Sequence, residues 1–153
     1  EGIFKYTFET VYSDKFGAKI YKISKDNIKE HIEKYLKMVN LLDYRDEYPQ
    51  HLSGGMKRRV GIARAFAYPS DYLFMDEPFE FLDIKTKQEI IEYFKILQEK
   101  EKKTVLFITH DIESALKIGD KIIIFSSKPT KVKKIFENIT DNGLEDEIRK
   151  IFL

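Results

Sequence analysis

Apolar residues along this chain recur with two different periods, and the change from one to the other lays out its elements. Over residues 26–42, Ile28, Ile32, Tyr35, Leu36, Val39 and Leu42 stand at helical spacing with charges between them. That pattern predicts an amphipathic helix whose apolar stripe belongs to a core. Residues 44–51 are polar, and Pro49 keeps the helix from running on. A second helix is predicted from Ser53, a good N-cap, to about Tyr68, where Pro69-Ser70 stops it. Val60, Ala63 and Ala67 give it a narrow face of small residues, and Lys57, Arg58 and Arg59 read as a solvated face.

The period then shortens. Tyr72-Leu73-Phe74-Met75 is a continuous apolar run, the mark of a strand buried on both faces in a parallel sheet. Asp83 is placed to cap a helix running to about Lys100, with Ile90, Ile91, Phe94 and Leu97 as its buried stripe. A charged turn over 99–103 leads into a second buried strand over 104–109, rich in β-branched and aromatic residues. Asp111 is the expected cap of a helix over 112–118. A strand over 121–125, a turn over 127–130 and a return strand over 131–136 follow. Leu144, Ile148, Ile151 and Phe152 mark a short closing helix. Residues 1–24 are aromatic-rich and have no clean period. Strands alternating with helices predict an α/β fold with a parallel sheet.

Composition narrows the class. The 153 residues suffice for one domain with a real core, and 42% hydrophobic with 35% charged reads as soluble and globular. A net charge of +1 offers no global field for nucleic acid or an anionic membrane. The absence of cysteine excludes a disulfide framework and thiolate metal sites, and suits a reducing cytosol. No apolar run approaches the length that spans a bilayer, and no signal peptide is present. The first residue is Glu1 and not Met, a first hint of a fragment or a processed product.

Three short stretches carry chemistry. Ser53, Gly54 and Gly55 stand where a loop becomes a helix. Free N–H groups and the helix dipole favour an anion there, and glycine lets a ligand approach the backbone closely. Taken alone, that tripeptide is an ordinary cap on a solvated loop. Asp76 and Glu77 are adjacent carboxylates at the exit of an apolar strand, a costly placement unless they serve a cation or a reaction. His110 closes the second strand and precedes a helix, a place where a lone histidine is ordinarily structural.

In this order, Leu52-Ser53-Gly54-Gly55-Met56, then Asp76-Glu77-Pro78, then His110-Asp111 resemble three motifs of the ATP-binding-cassette (ABC) ATPases. These are the signature motif, in its Met-containing importer form, the Walker B strand with its following glutamate, and the switch histidine. The resemblance runs from about Thr10 to about Phe136 and fades beyond Ile139. It implies a partial P-loop NTPase core with a parallel sheet, plus a helical subdomain carrying the signature. The expected division is 1–68 for the segment after the Q-loop and the helical subdomain, 69–139 for the C-terminal part of the core, and 140–153 for a terminal helix. Thr10-Val11 and residues 16–20 look like the segment after the Q-loop, with Phe8 where the family has Trp; the Q-loop glutamine would fall at Glu1 or before it.

By the same resemblance, Asp76 would hold Mg²⁺ through water, and Glu77 would be the general base that polarises the attacking water. His110 would contact the γ-phosphate, and Ser53, Gly54 and Gly55 would serve the ATP of a partner subunit. Asp83 belongs to the D-loop position, where Glu80 and Phe81 replace the family's small residues. Arg58 stands in place of Gln, and Lys128-Pro129-Thr130 is a soft match to Arg-Pro-Gly. Walker A is missing, since none of the seven glycines is followed by Lys. Truncation upstream is the simplest account, and the chain alone is expected neither to bind ATP tightly nor to turn it over. A partial sheet is also expected to expose an edge and apolar surface, with poor solubility.

The implied protein is the ATP-hydrolysing subunit of a solute importer, similar to the nitrate, sulfonate, taurine and bicarbonate group. Its implied cofactors are ATP and Mg²⁺. Its implied partners are a second ATPase subunit in a head-to-tail dimer, an integral membrane permease and a solute-binding protein, with no nucleic acid. It would sit in the cytoplasm, held on the inner face of the membrane by the permease. Two other readings stay open. One is a non-catalytic subunit whose signature completes another subunit's site. The other is a soluble ABC ATPase acting on nucleic acid or ribosomes, which a salt-sensitive RNA or DNA complex would favour.

Overall fold

The computed structural model describes residues 25–137, 139 and 144–152. The expectations for Glu1, Phe8, Thr10-Val11 and 16–20 therefore lie outside the described residues. In chain order the elements are α1 (Lys25–Met38), two 3-10 turns (Leu42–Tyr44 and Pro49–His51), α2 (Gly54–Ala67), β1 (Tyr72–Asp76) and α3 (Ile84–Glu101). They continue with β2 (Thr104–Ile108), α4 (Ile112–Ile118), β3 (Lys121–Phe125), β4 (Val132–Glu137) and α5 (Leu144–Phe152). The chain divides into two compact units. One runs to Met75 and resumes over Phe81–Leu106; the other takes Asp76–Glu80 and the chain from Phe107 onward.

Among the described residues the first unit is built on three helices. The stripe expected of α1 is buried at Ile32, Tyr35, Leu36 and Val39. The helix ends at Met38, earlier than its apolar spacing suggests, because Asn40 turns into the left-handed region (φ 53°). The Leu41 N–H then donates to the Leu36 carbonyl (2.8 Å), and Leu41, not Leu42, drops into the core. From α2 come Val60, Ala63 and Ala67, as expected, with Ile62 and Phe66; from α3 come Ile90, Ile91, Phe94 and Leu97. Phe66 and Phe94 meet edge to face with ring centroids 5.4 Å apart, worth about 0.5–1.5 kcal/mol beyond their burial.

Two cations depart from the expected solvated role. Arg59 donates to the Val39 carbonyl (3.1 Å), and its guanidinium lies over the Tyr93 ring (5.1 Å to the centroid). The basic run therefore clamps the end of α1 and the face of α3 at one of its positions, because a planar guanidinium can hydrogen-bond and stack together. Lys103 is buried, and its ammonium donates to the carbonyls of Tyr68 and Ser70 (2.6 Å each).

Strands β1 and β2 are hydrogen-bonded neighbours and run in the same direction. At one end the Thr104 N–H donates to the Asp71 carbonyl (2.8 Å); at the other the Glu77 N–H donates to the Ile108 carbonyl (2.9 Å). The α3 crossover makes that parallel pairing available. Burial on both faces, expected of each strand, does not hold. Each alternates between exposed and half-buried along its length, so Tyr72, Phe74, Leu106 and Ile108 are exposed. Side chains in a strand point to opposite faces in turn, and only one face of this pair is covered among the described residues.

In the second unit β3 and β4 form an antiparallel hairpin, registered Lys121↔Glu137 through Phe125↔Val132 with an irregularity at Ile124/Phe125. Ile124, Phe136 and Ile148 make its core, with Ile112, Leu116, Ile122, Leu144 and Ile151 packed around them. The return strand and closing helix expected from the sequence are thus one packed group. Asp111 occupies the N-cap position of α4 without making the expected cap. Its carboxylate instead accepts the hydroxyl of Ser114, which is fully buried and has no solvent to bond.

Candidate functional site

The acidic turn begins where β1 ends. Asp76 is the last strand residue and is exposed. Glu77 turns the chain with a left-handed φ of 43°. Three features hold it there. Its N–H is bonded to the Ile108 carbonyl, its own carbonyl accepts the Glu80 N–H (3.2 Å), and Phe79 is buried with its ring 6.3 Å from that of Phe107. β2 delivers His110 just beyond its end. The imidazole Nδ1 lies 2.8 Å from Glu77 Oε1, across 33 residues of sequence.

A carboxylate can only accept, so the Glu77 contact places a proton on Nδ1 of His110. That hydrogen bond first, and the negative charge of Glu77 second, raise the histidine pKa above its ordinary 6.5; Glu80 and Asp111 add to the effect. The protonated ring then presents Nε2–H as a second donor. Glu77 is three-quarters covered at its side chain, whereas the imidazole is about two-thirds exposed. The pair thus offers a carboxylate with Oε2 still able to accept and an exposed imidazole that carries a second donor when protonated. No group of three or more His, Asp or Glu side chains that could hold a metal ion occurs among the described residues. Mg²⁺ keeps most of its waters and takes one or two carboxylates together with substrate phosphates, and the exposed Asp76 fits that limited demand.

In the other unit, Ser53 is the N-cap of α2, and its Oγ accepts the Met56 N–H (3.2 Å). The hydroxyl proton can still be donated. The two glycines differ. A methyl group added at Gly54 would meet nothing within 4 Å, but one at Gly55 would stand 2.9 Å from Thr86 Cγ2. Asp83 caps α3 by accepting the Thr86 N–H at Oδ1 (3.0 Å), and these Thr86 contacts hold its carboxyl below the usual pKa. Just before it, Phe81 is 92% exposed at a left-handed φ of 60°.

The structure therefore brings Glu77 and His110 into contact beside Asp76 in one unit. It places Ser53, Gly54, Gly55 and Asp83 in the other. Thr86 was not singled out by the sequence reading, although its position three residues after Asp83 is the spacing of a capping pair. Its contact with Gly55 has no local signal.

The ABC transporter family matches residues 4–80, about half of the chain, including Ser53 to Gly55, Asp76 and Glu77. The aliphatic sulfonates import ATP-binding protein SsuB of Bacillus cereus is 40% identical over 117 residues, 76% of this chain and 45% of that protein. An uncharacterized ABC transporter ATP-binding protein of Methanocaldococcus jannaschii is 38% identical over 120 residues, 78% of this chain and 45% of that protein. The glycine betaine/carnitine transport ATP-binding protein GbuA of Listeria monocytogenes is 44% identical over 109 residues, 71% of this chain and 28% of that protein. The chain belongs to the ABC transporter family, among its ATP-binding proteins. It spans less than half the length of these curated relatives. Among its described residues no helix is long and apolar enough to cross a membrane.

Proposed function

We propose that this chain is the signature and catalytic-carboxylate part of an ATPase subunit that couples ATP hydrolysis to solute import. The observation that carries the reading is the 2.8 Å contact between Glu77 and His110 at the end of the acidic strand. Glu77 accepts a proton from water through Oε2 while Oε1 is held by His110. When the ring is protonated, Nε2–H would donate to a γ-phosphate oxygen while Nδ1–H holds the rotamer of Glu77. Asp76 would hold Mg²⁺ through water, and the ion would neutralise charge on the phosphates. Ser53, Gly54 and Gly55 would present a hydroxyl and helix-start backbone to the nucleotide of a second ATPase subunit in a head-to-tail dimer, the signature's part in such a pair.

Import is supported by relatives whose names read aliphatic sulfonates import and glycine betaine/carnitine transport. A permease, a solute-binding protein and a cytoplasmic place on the inner membrane face belong to the same reading. The test is ATP turnover by the whole protein. Glu77→Gln keeps the shape and removes the base, so turnover falls about 10²–10⁴-fold while nucleotide still binds. Turnover within a factor of two of the parent would overturn the role given to Glu77.

A further inference from the structure

The pair Gly54-Gly55 reads as one ligand-facing surface, yet the structure separates the two residues. Gly54 is exposed and faces open space, whereas Gly55 is half-buried and its α-carbon faces Thr86. A Cβ–Cγ2 distance of 2.9 Å is one that real methyl carbons do not adopt, so any side chain at Gly55 requires Thr86 to move. Thr86 is poorly able to do so. It is β-branched and lies in the first turn of α3, where a threonine has two main χ1 rotamers. Its backbone N–H is bonded to Asp83 Oδ1, and its hydroxyl bonds the same side chain. Turning the methyl away from Gly55 would break that second bond.

We infer that Gly55 is glycine because Thr86 seats against it, and that Asp83, Thr86 and Gly55 form a mechanical link joining the start of α2 to the capping turn of α3. Thr86 is a positioning residue in this link: it sets where Ser53 and Gly54 stand without touching a ligand. The inference deepens the ATPase reading and rests on it for the meaning of Ser53 and Gly54. The contact itself does not depend on that reading.

The experiment compares the whole protein with Gly55→Ala, Thr86→Ser and the double variant. Melting midpoints are read without nucleotide, and ATP turnover at a temperature where all four remain folded. Thr86→Ser keeps the hydroxyl that bonds Asp83 and removes only the methyl that Gly55 faces. The expected result is a lower melting midpoint and at least a tenfold loss of turnover for Gly55→Ala. Both return to within about twofold or a degree of the Thr86→Ser protein in the double variant. A double variant that melts and hydrolyses as poorly as Gly55→Ala would overturn the link. If its melting recovered and its turnover did not, Gly55 would be required by the ligand, and the positioning role would fall. A parent protein with no ATP turnover would defeat the ATPase reading instead, leaving the melting comparison to decide the link.

Discussion

Glu77 adopts a left-handed backbone that costs a non-glycine residue roughly 1–2 kcal/mol. Such a conformation persists only where surrounding contacts over-determine it, as the Ile108 carbonyl, buried Phe79 and His110 do here. The His110 contact has a pH signature. Its folded pKa is raised, first by the Glu77 hydrogen bond and then by its charge, so the contact stabilises the fold fully below the ordinary value of 6.5. That contribution is lost as pH rises through the raised value. An NMR titration of the His110 ring should show a midpoint above 6.5 that moves down toward it in Glu77→Gln. Equal midpoints would show that the pair is not held in solution. Neighbouring carboxylates and a strand-end histidine were legible from residue order. Their 2.8 Å contact was not, because it depends on two strands pairing across 33 residues.

Helix stripes are the elements the sequence describes best. Ile90, Ile91, Phe94 and Leu97 all lie in the core, as their spacing requires. The strands fared less well, since a continuous apolar run cannot say whether both faces will be covered. Polar ties between elements were invisible for another reason. Lys103 sits in a stretch that reads as a charged turn, yet its long stem lets the ammonium reach two carbonyls at the end of α2. Lys103→Met keeps the stem and removes both donors. It should lower stability by about 1–3 kcal/mol, read as a fall in urea midpoint without a change in slope. An unchanged midpoint would mean that water replaces the ammonium at no cost. Ser53 and Asp83 are easier cases, because N-caps are local and each bonds the N–H three residues on.

At the scale of the molecule, two compact units share one chain, and each has its own apolar core. In the first, an apolar sheet face is left uncovered among the described residues, with Tyr72, Phe74 and Leu106 between 53% and 74% exposed. Such a contiguous face promotes self-association when nothing covers it. Solutions of this chain should show concentration-dependent light scattering. The double change Phe74→Lys and Leu106→Lys should suppress it while leaving stability within about 0.5 kcal/mol per site, since both side chains are largely outside the core. Scattering that persists in the double variant would place the sticky surface elsewhere.

The sequence alone determined the order of elements, the buried stripes of the helices, the caps at Ser53 and Asp83, and the residue types available for phosphate, cation and water. These are consequences of local spacing, which a chain carries wherever it folds. Tertiary structure alone decided that Arg59 clamps two helices, that Asp111 serves Ser114, and that one face of the β1–β2 pair stays open among the described residues. It also set Gly55 against Thr86 and closed the Glu77–His110 pair. Most of these join residues far apart in the chain. Their distances follow from how helices and strands pack, and no period in the sequence encodes that.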